Sequence, residues 1–348
     1  KDFLRYVKEN LIPNCPITAR DVLNAEAIWG PSVASLKGKT TRRKPSPIRV
    51  TGTDIPLQIM QQYRDVTLSV DIMKVTGIPF LMTISKHIKF GSAGKLDTMK
   101  NAHILQHFKV IVSAYAIRGF RVTIMLADGQ FESMRGDIAD LHVHLHIVAR
   151  DEHVPEIERF NRTINKERVR ASYNIMPFQH VPPIFVIEMV YSAVFWRNMF
   201  PLLAGISKTQ SPAEIVINRK LDHNKHCGVE LFEYAQTHEE HDNSMATRTI
   251  GAIATRPTGD GSYNFISLST GRVVNRRSFT KLPLPEDAIT RVHHLARRAK
   301  AARNLTFTNC DNIDLDTLYA DLDRDEDDLP LEDAETAGVD NDDDDEDD

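Results

Sequence analysis

Between residues 65 and 170 the sequence changes its hydrophobic period in a fixed order, and that order leaves few folds open. DVTLSVDIMKV (65–75) alternates, with Leu68, Val70 and Ile72 on one face. Gly77, Ile78 and Pro79 turn the chain, FLMTIS (80–85) reads as a second strand, and HIKFGS (87–92) as a shorter third. Asp97 then stands where a cap would open a long helix. Its apolar face is Ile104, Phe108, Ile111 and Tyr115, and Gly119 ends it. FRVTIMLAD (120–128) and HVHLHIVA (142–149) are two further strands, and a last helix opens near Pro155, a residue favoured in a first turn. Strand, strand, strand, helix, strand, strand, helix predicts an α/β mixed sheet flanked by helices.

The flanks read differently. Residues 1–47 predict helical pieces and a basic linker. Thr18 starts a helix with Val22, Ala25 and Ile28 on one face, Gly30-Pro31 stops it, and LKGKTTRRKPSP (36–47) is a Pro-punctuated connector. Gly38-Lys39-Thr40 invites a phosphate-loop reading. The place of that loop's first glycine is held by Val33, however, and no buried strand precedes it. The core is expected over 65–215, closing with an apolar helical stretch in which Trp196 and Phe200 are core. Residues 219–285 switch to short β-rich runs, which predict a separate small module. A basic helix over 286–310 and a disordered acidic tail over 311–348 complete the expected order.

Charge divides along the same line. The net charge of −5 conceals 17 Asp and Glu against a single Arg324 in residues 321–348, a net of −16, which leaves +11 on residues 1–320. A basic body of that kind suits a polyanionic partner, and its acidic extension does not. No apolar run approaches the length that spans a membrane, since VPPIFVIEMVYSAVFW (181–196) is broken by Pro182, Pro183 and Glu188. Cys15, Cys227 and Cys310 are too few and too scattered for a disulfide framework, which favours a reducing, intracellular setting. The chain starts at Lys1 without a secretory signal pattern and reads as cut from a longer product.

Three carboxylates fall where strand ends and helix starts could bring them together. Asp71 lies inside the first strand, opposite Val70 and Ile72, where burial of a lone carboxylate is costly. Asp128 closes the fourth strand and Glu158 lies in the first turns of the last helix. Converging carboxylates can hold two divalent cations for phosphoryl transfer. Each residue also has a plain structural role open to it: Asp71 at a solvated strand edge, Asp128 in a turn, Glu158 favoured by the helix dipole.

Several segments resemble the integrase region of copia-type LTR retrotransposon polyproteins. DEHVPEIERFNRTINKERVRA (151–171) is similar to that family's Glu-Arg helix with its Asn-Arg-Thr sequence; LADGQFE (126–132) resembles its second-Asp strand end and LSVDIMKV (68–75) its first. SPAEIVINRKLD (211–222), LSTGRVVNRRSF (268–279) and NCPITARDVLNAEAIWGPSVASLKGKT (14–40) extend the resemblance over roughly residues 14–282. The resemblance implies an RNase H-like fold, catalytic Asp71, Asp128 and Glu158 binding Mg²⁺ or Mn²⁺, and joining of a DNA 3′ end to target DNA. It also implies multimers, other parts of the same polyprotein as partners, and passage through a cytoplasmic particle to the nucleus. Glu156 is the competing carboxylate if the register is displaced by two, about 200° around the helix.

Beyond Glu158, Arg162 and Lys166 follow at four and eight residues, opposite an apolar stripe of Ile157, Phe160 and Ile164. With Arg159, and with Lys37, Lys39, Arg42 and Arg43 of the basic connector, they are the expected contacts to a phosphate backbone. His142, His144 and His146 alternate along a strand in a spacing that two zinc-binding imidazoles could use, although only His153 lies near as a further ligand. RVHHLARRAKAAR (291–303) suits nucleic acid or any solvated surface. The competing functions are a catalytically dead or domesticated fragment that only binds nucleic acid or protein, and a metal-dependent nuclease on the same fold.

Overall fold

The computed structural model describes residues 2–40, 53–148, 154–240, 245–301 and 304–318. Four short helices come first: α1 (Asp2–Lys8), α2 (Ala19–Trp29), α3 (Val33–Lys39) and α4 (Leu57–Tyr63). Thr18 caps α2 through a reciprocal capping box with Asp21, and Gly30 ends it at φ 71°. Its apolar face is not covered, however: no residue of α2 is buried, and Ile28 and Trp29 are 62% and 70% exposed. The start of the expected connector is helical, because α3 runs through Lys39 and docks on the second sheet, where the Lys37 carbonyl accepts from the Arg248 N–H at 3.0 Å.

The first sheet carries the predicted alternation. Its strands are β1 (Asp65–Val75), β2 (Ile78–Ser85) and β3 (Gly91–Lys95); after α5 (Asn101–Ile117) come β4 (Arg121–Ala127), α6 (Arg135–Ala139) and β5 (His144–Ile147). The order is β3-β2-β1-β4-β5, with β1 antiparallel to β2, β2 antiparallel to β3, and β1, β4 and β5 parallel. That order and those directions are those of an RNase H-like sheet. Several boundaries differ from expectation, and Ile78 and Pro79 already belong to β2. The third strand starts at Gly91, because residues 85–90 close a tight turn in which the Ser85 hydroxyl accepts from the Phe90 N–H. Helix α5 starts after Lys100, and Asp97 pairs with Lys95 instead of capping it. His142 is not in the strand either; it lies before β5 at φ 60°, while His144 and His146 are exposed.

The two faces of β1 feed two cores. Leu68, Val70 and Ile72 pack with Ile104, Phe108 and Tyr115 of α5 and with Ile138 of α6. Met73 and Val75 face the other way, toward α7 (Pro155–Arg162), the π-helical turn Thr163–Val169 that continues it, and, after α8 (Arg170–Ile175), helix α9 (Pro183–Asn198). Helices α10 (Pro212–Ile217) and α11 (His223–His226) lead into an antiparallel sheet. Its strands are β6 (Tyr234–His238), β7 (Thr249–Pro257), β8 (Tyr263–Ser267), β9 (Val273–Arg276) and β10 (Phe279–Lys281), in the order β10-β6-β7-β8-β9.

This second sheet is not a separate module. Tyr234, Ile253 and Ile266 share one apolar core with Val186, Met189 and Val190 of α9. Buried Glu188 of α9 accepts from the Thr255 hydroxyl at 3.0 Å and pairs with Arg256 at 3.2 Å. Phe200 is 47% exposed and Trp196 only partly buried, so neither anchors the core. The basic helix is shorter than expected, α12 (Glu286–Arg298), and the chain then returns to the first sheet as β11 (Phe307–Thr308) and α13 (Leu315–Leu318). Residues 311–318, expected as the start of a disordered tail, are therefore folded; the remainder of that tail lies outside the described residues.

Candidate active site

Alternation along β1 places Asp71 with Ser69 and Met73 on the face that α7 and α9 cover, and leaves its carboxylate partly buried. Its neighbour β4 pairs with β1 only over Asp65–Ser69 and ends at Ala127, which brings Asp128 into the crevice at the carboxyl ends of the two parallel strands. Pro155 opens α7 at the first-turn position, and its first turn carries Glu156 and Glu158. The helix is held down by Ile157, Phe160 and Ile164, all buried in the core under the sheet.

The three sequence-identified carboxylates share one electrostatic field. Burial above all, then the negative charge of Asp128 and, more weakly, that of Glu158, raise the Asp71 carboxyl to about 7. Two hydrogen bonds oppose the shift: the Ile72 N–H donates to Oδ1 at 2.6 Å, and the Asn161 side-chain amide donates to Oδ2 at 2.7 Å. Glu156 is directed elsewhere, to an ion pair with Lys89 at 3.5 Å. Among the described residues no three His, Cys, Asp or Glu side chains stand close enough to enclose a cation.

Asn161 is the site residue that sequence reasoning missed. It is fully buried one turn after Glu158, and Asn165, also buried, follows at the next turn with both side-chain polar atoms unpartnered among the described residues. The signal was available: two amides inside the apolar stripe of Phe160 and Ile164 are polar groups that burial must explain. The supporting shell is tight. A Cβ on Gly91 would collide with the Phe160 ring, Arg197 lies over that ring at 4.9 Å, and Asn198 bonds both the Gly91 N–H and carbonyl at 2.9 and 2.7 Å.

The expected phosphate-binding cations are dispersed over two elements. Arg159 is exposed on α7, whereas Arg162 and Lys166 are partly buried. The π turn from Thr163 to Val169 widens the helix, so the α-helical alignment of Lys166 with Glu158 does not carry through it. Lys37 and Lys39 are exposed on α3, which sits on the second sheet. Arg42, Arg43 and His153 lie outside the described residues.

No family model and no curated protein matches the sequence. Among solved structures, the catalytic core domain of BIV integrase resembles this chain with a TM-score of 0.33 and 13% sequence identity, over 44% of this chain and 93% of that one. A likeness at that level decides nothing about function, and the RNase H-like assignment rests on strand order and direction.

Proposed function

We propose that this chain is the integrase region of a retroelement of the copia type, a metal-dependent polynucleotidyl transferase that joins a DNA 3′ end to target DNA. The observation that carries the reading is the shared field of Asp71, Asp128 and Glu158, contributed by β1, the end of β4 and α7. Like charges held together raise one another's proton affinity, and a divalent cation relieves that repulsion better than a proton. Three carboxylates are hard oxygen donors of the kind Mg²⁺ and Mn²⁺ take, so the donor chemistry fits. Bound there, such a cation would polarise phosphoryl oxygens and stabilise the leaving oxygen.

The chain's own groups do the rest in this reading. Asp71, Asp128 and Glu158 would hold the cation, and the Asn161 amide, which donates to Asp71 Oδ2, would orient that carboxylate. Arg159, Arg162 and Lys166, with Lys37, Lys39, Arg42 and Arg43, hold the phosphate backbone of element ends and target. Water or a DNA 3′ hydroxyl attacks phosphorus, the P–O3′ bond of the attacked strand breaks, its 3′ oxygen leaves and takes up the proton that the nucleophile gives up, and no bond to the protein forms. A homo-multimer, neighbouring parts of the same polyprotein, and an intracellular particle that delivers DNA to the nucleus belong to the same proposal.

One observation favours a second reading, a catalytically dead fragment that only binds nucleic acid or protein partners: the described carboxylates do not close around a cation. Strand transfer with Mn²⁺ separates the two. The native chain should join an oligonucleotide end to a target duplex, and Asp128→Asn should not. A native chain without activity, and without heat of Mn²⁺ binding in calorimetry, selects the dead fragment.

A further inference from the structure

Strand β1 is paired by β2 along one edge from Leu68 to Val75, but on the other edge β4 stops at Ser69. Beyond that point β11 takes the place of β4, with Thr308 opposite Lys74 and Phe307 opposite Val75. The pairing is antiparallel, so the residues after Thr308 run back toward the level of Asp71. A small hairpin closes there: Thr308 bridges Asp314, and the Asn309 side chain accepts from the N–H groups of Asp311 and Ile313, both at 2.9 Å. The negative charges of Asp71 and Asp128 reach Cys310, whose thiol is pushed up to about 11 by burial first, then by Asp311 and these two carboxylates.

The hairpin is fastened at several points. Phe307 and Leu315 are buried in the core shared with α9. The Lys74 ammonium donates to the Cys310 carbonyl at 2.7 Å and to Asn312 Oδ1 at 2.8 Å. Arg170 pairs with Asp316 at 2.8 Å and lies 5.2 Å over the Phe307 ring. Residues 304–318 contain Asp311, Asp314 and Asp316 and no Lys or Arg. An acidic hairpin beside an acidic crevice adds repulsion, and it occupies the one cation, Lys74, that β1 itself offers near Asp71.

We propose that residues 304–318 are a self-inhibiting strap that closes the crevice beside Asp71 and Asp128 to a polyanion until it is displaced. The inference rests on the nucleic-acid reading above. A phosphate backbone entering at the ends of β1 and β4 meets the side chains and carbonyls of residues 309–312. Displacement removes their charge and frees Lys74 to take a phosphate in place of the Cys310 carbonyl and the Asn312 amide oxygen.

The test uses the full chain, a short fluorescent DNA duplex, and alkylation of Cys310 followed by peptide mass mapping. Leu315→Ala combined with Asp316→Asn loosens the strap without touching the crevice. This variant should bind the duplex about tenfold more tightly, and the duplex should speed Cys310 alkylation in the native chain several-fold. Faster alkylation in the variant with unchanged duplex affinity overturns the strap. If the variant fails to fold by circular dichroism, the native chain decides alone: bound duplex that leaves Cys310 alkylation unchanged or slows it overturns the strap. Binding to neither folded chain overturns the nucleic-acid reading itself, whereas binding without release of the strap overturns only the strap.

Discussion

Replacing Asp71 by Asn should stabilise the protein at alkaline pH, and the size of the effect follows from the site. The folded carboxyl titrates at about 7 against an ordinary value of 3.8. Between those two values the unfolded chain has released its proton while the folded chain retains it. Stability therefore falls as pH rises through that window and is flat above it. The full difference corresponds to about 4 kcal/mol. Asp71 is partly exposed, so solvent screening reduces the expected loss to about 2–3 kcal/mol. Asn is nearly the same shape, but its single oxygen can accept from only one of the Ile72 N–H and the Asn161 amide, a loss that is the same at every pH.

The assay is urea unfolding followed by circular dichroism, in EDTA, for the native chain and Asp71→Asn at pH 5 and pH 8.5. Groups remote from the site titrate alike in both, so the difference between the curves reports position 71 together with its coupling to Asp128 and Glu158. The advantage of Asp71→Asn should grow by about 1–2 kcal/mol from the lower pH to the higher, and saturating Mn²⁺ should restore the native chain selectively. A difference between the two chains that does not change with pH would refute the reasoning, because it would mean that Asp71 ionises in the folded protein as it does in the unfolded one.

Three further outcomes follow from the same site. Asn161→Ala removes a donor to the Asp71 carboxylate, so the acid limb of the pH–rate profile for Mn²⁺-dependent strand transfer should move to higher pH; a profile superimposable on the native one would show that this amide does not orient Asp71. Gly91→Ala drives a methyl into the Phe160 ring and should cost about 1–3 kcal/mol in urea unfolding, with loss of strand transfer although no acidic residue is changed. For duplex DNA, the logarithm of affinity should fall linearly with the logarithm of salt concentration, and Arg162→Ala should reduce that slope by about 1 if the residue holds one phosphate.

Much of the scaffold was legible because its elements are long and strongly periodic. The alternation of 65–75, the apolar face of Ile104, Phe108 and Tyr115, and the stripe of Ile157, Phe160 and Ile164 each bury as their spacing implies. The turn of 3₁₀ helix at Gly129–Met134 and α6 were not legible, since GQFESMRGDIA has no sustained period. The cap of α5 was misplaced because a carboxylate near a helix start has more than one possible partner, and Lys95 is nearer in sequence than any helical N–H. Asn161 was not singled out, because an amide on a helix is usually solvated and its partner, the Asp71 carboxylate, lies 90 positions away in sequence. The strap was beyond local reading altogether. The bonds from Lys74 to Cys310 and Asn312 join residues more than 230 positions apart, and Phe307-Thr308 is too short a strand to show any period.

That β1 holds an unfavourable carboxylate at all follows from what the rest of the strand buries. A slip of one residue in its register would exchange the faces, sending Asp71 into the core of Phe108 and Tyr115 and turning Leu68, Val70 and Ile72 toward α7. Burial of those three side chains is worth about 1.5–3 kcal/mol each, and moving an ionised carboxylate into an apolar core costs several more. Against that sum the repulsion at Asp71 is the smaller quantity. The strand can therefore carry a destabilising group at one position because its neighbours on both faces leave no competing register. The same inequality requires that Asp71→Asn raise stability without altering the pairing of β1 with β2 and β4, so amide exchange along β1 should slow or stay unchanged in that variant and should not redistribute to new positions.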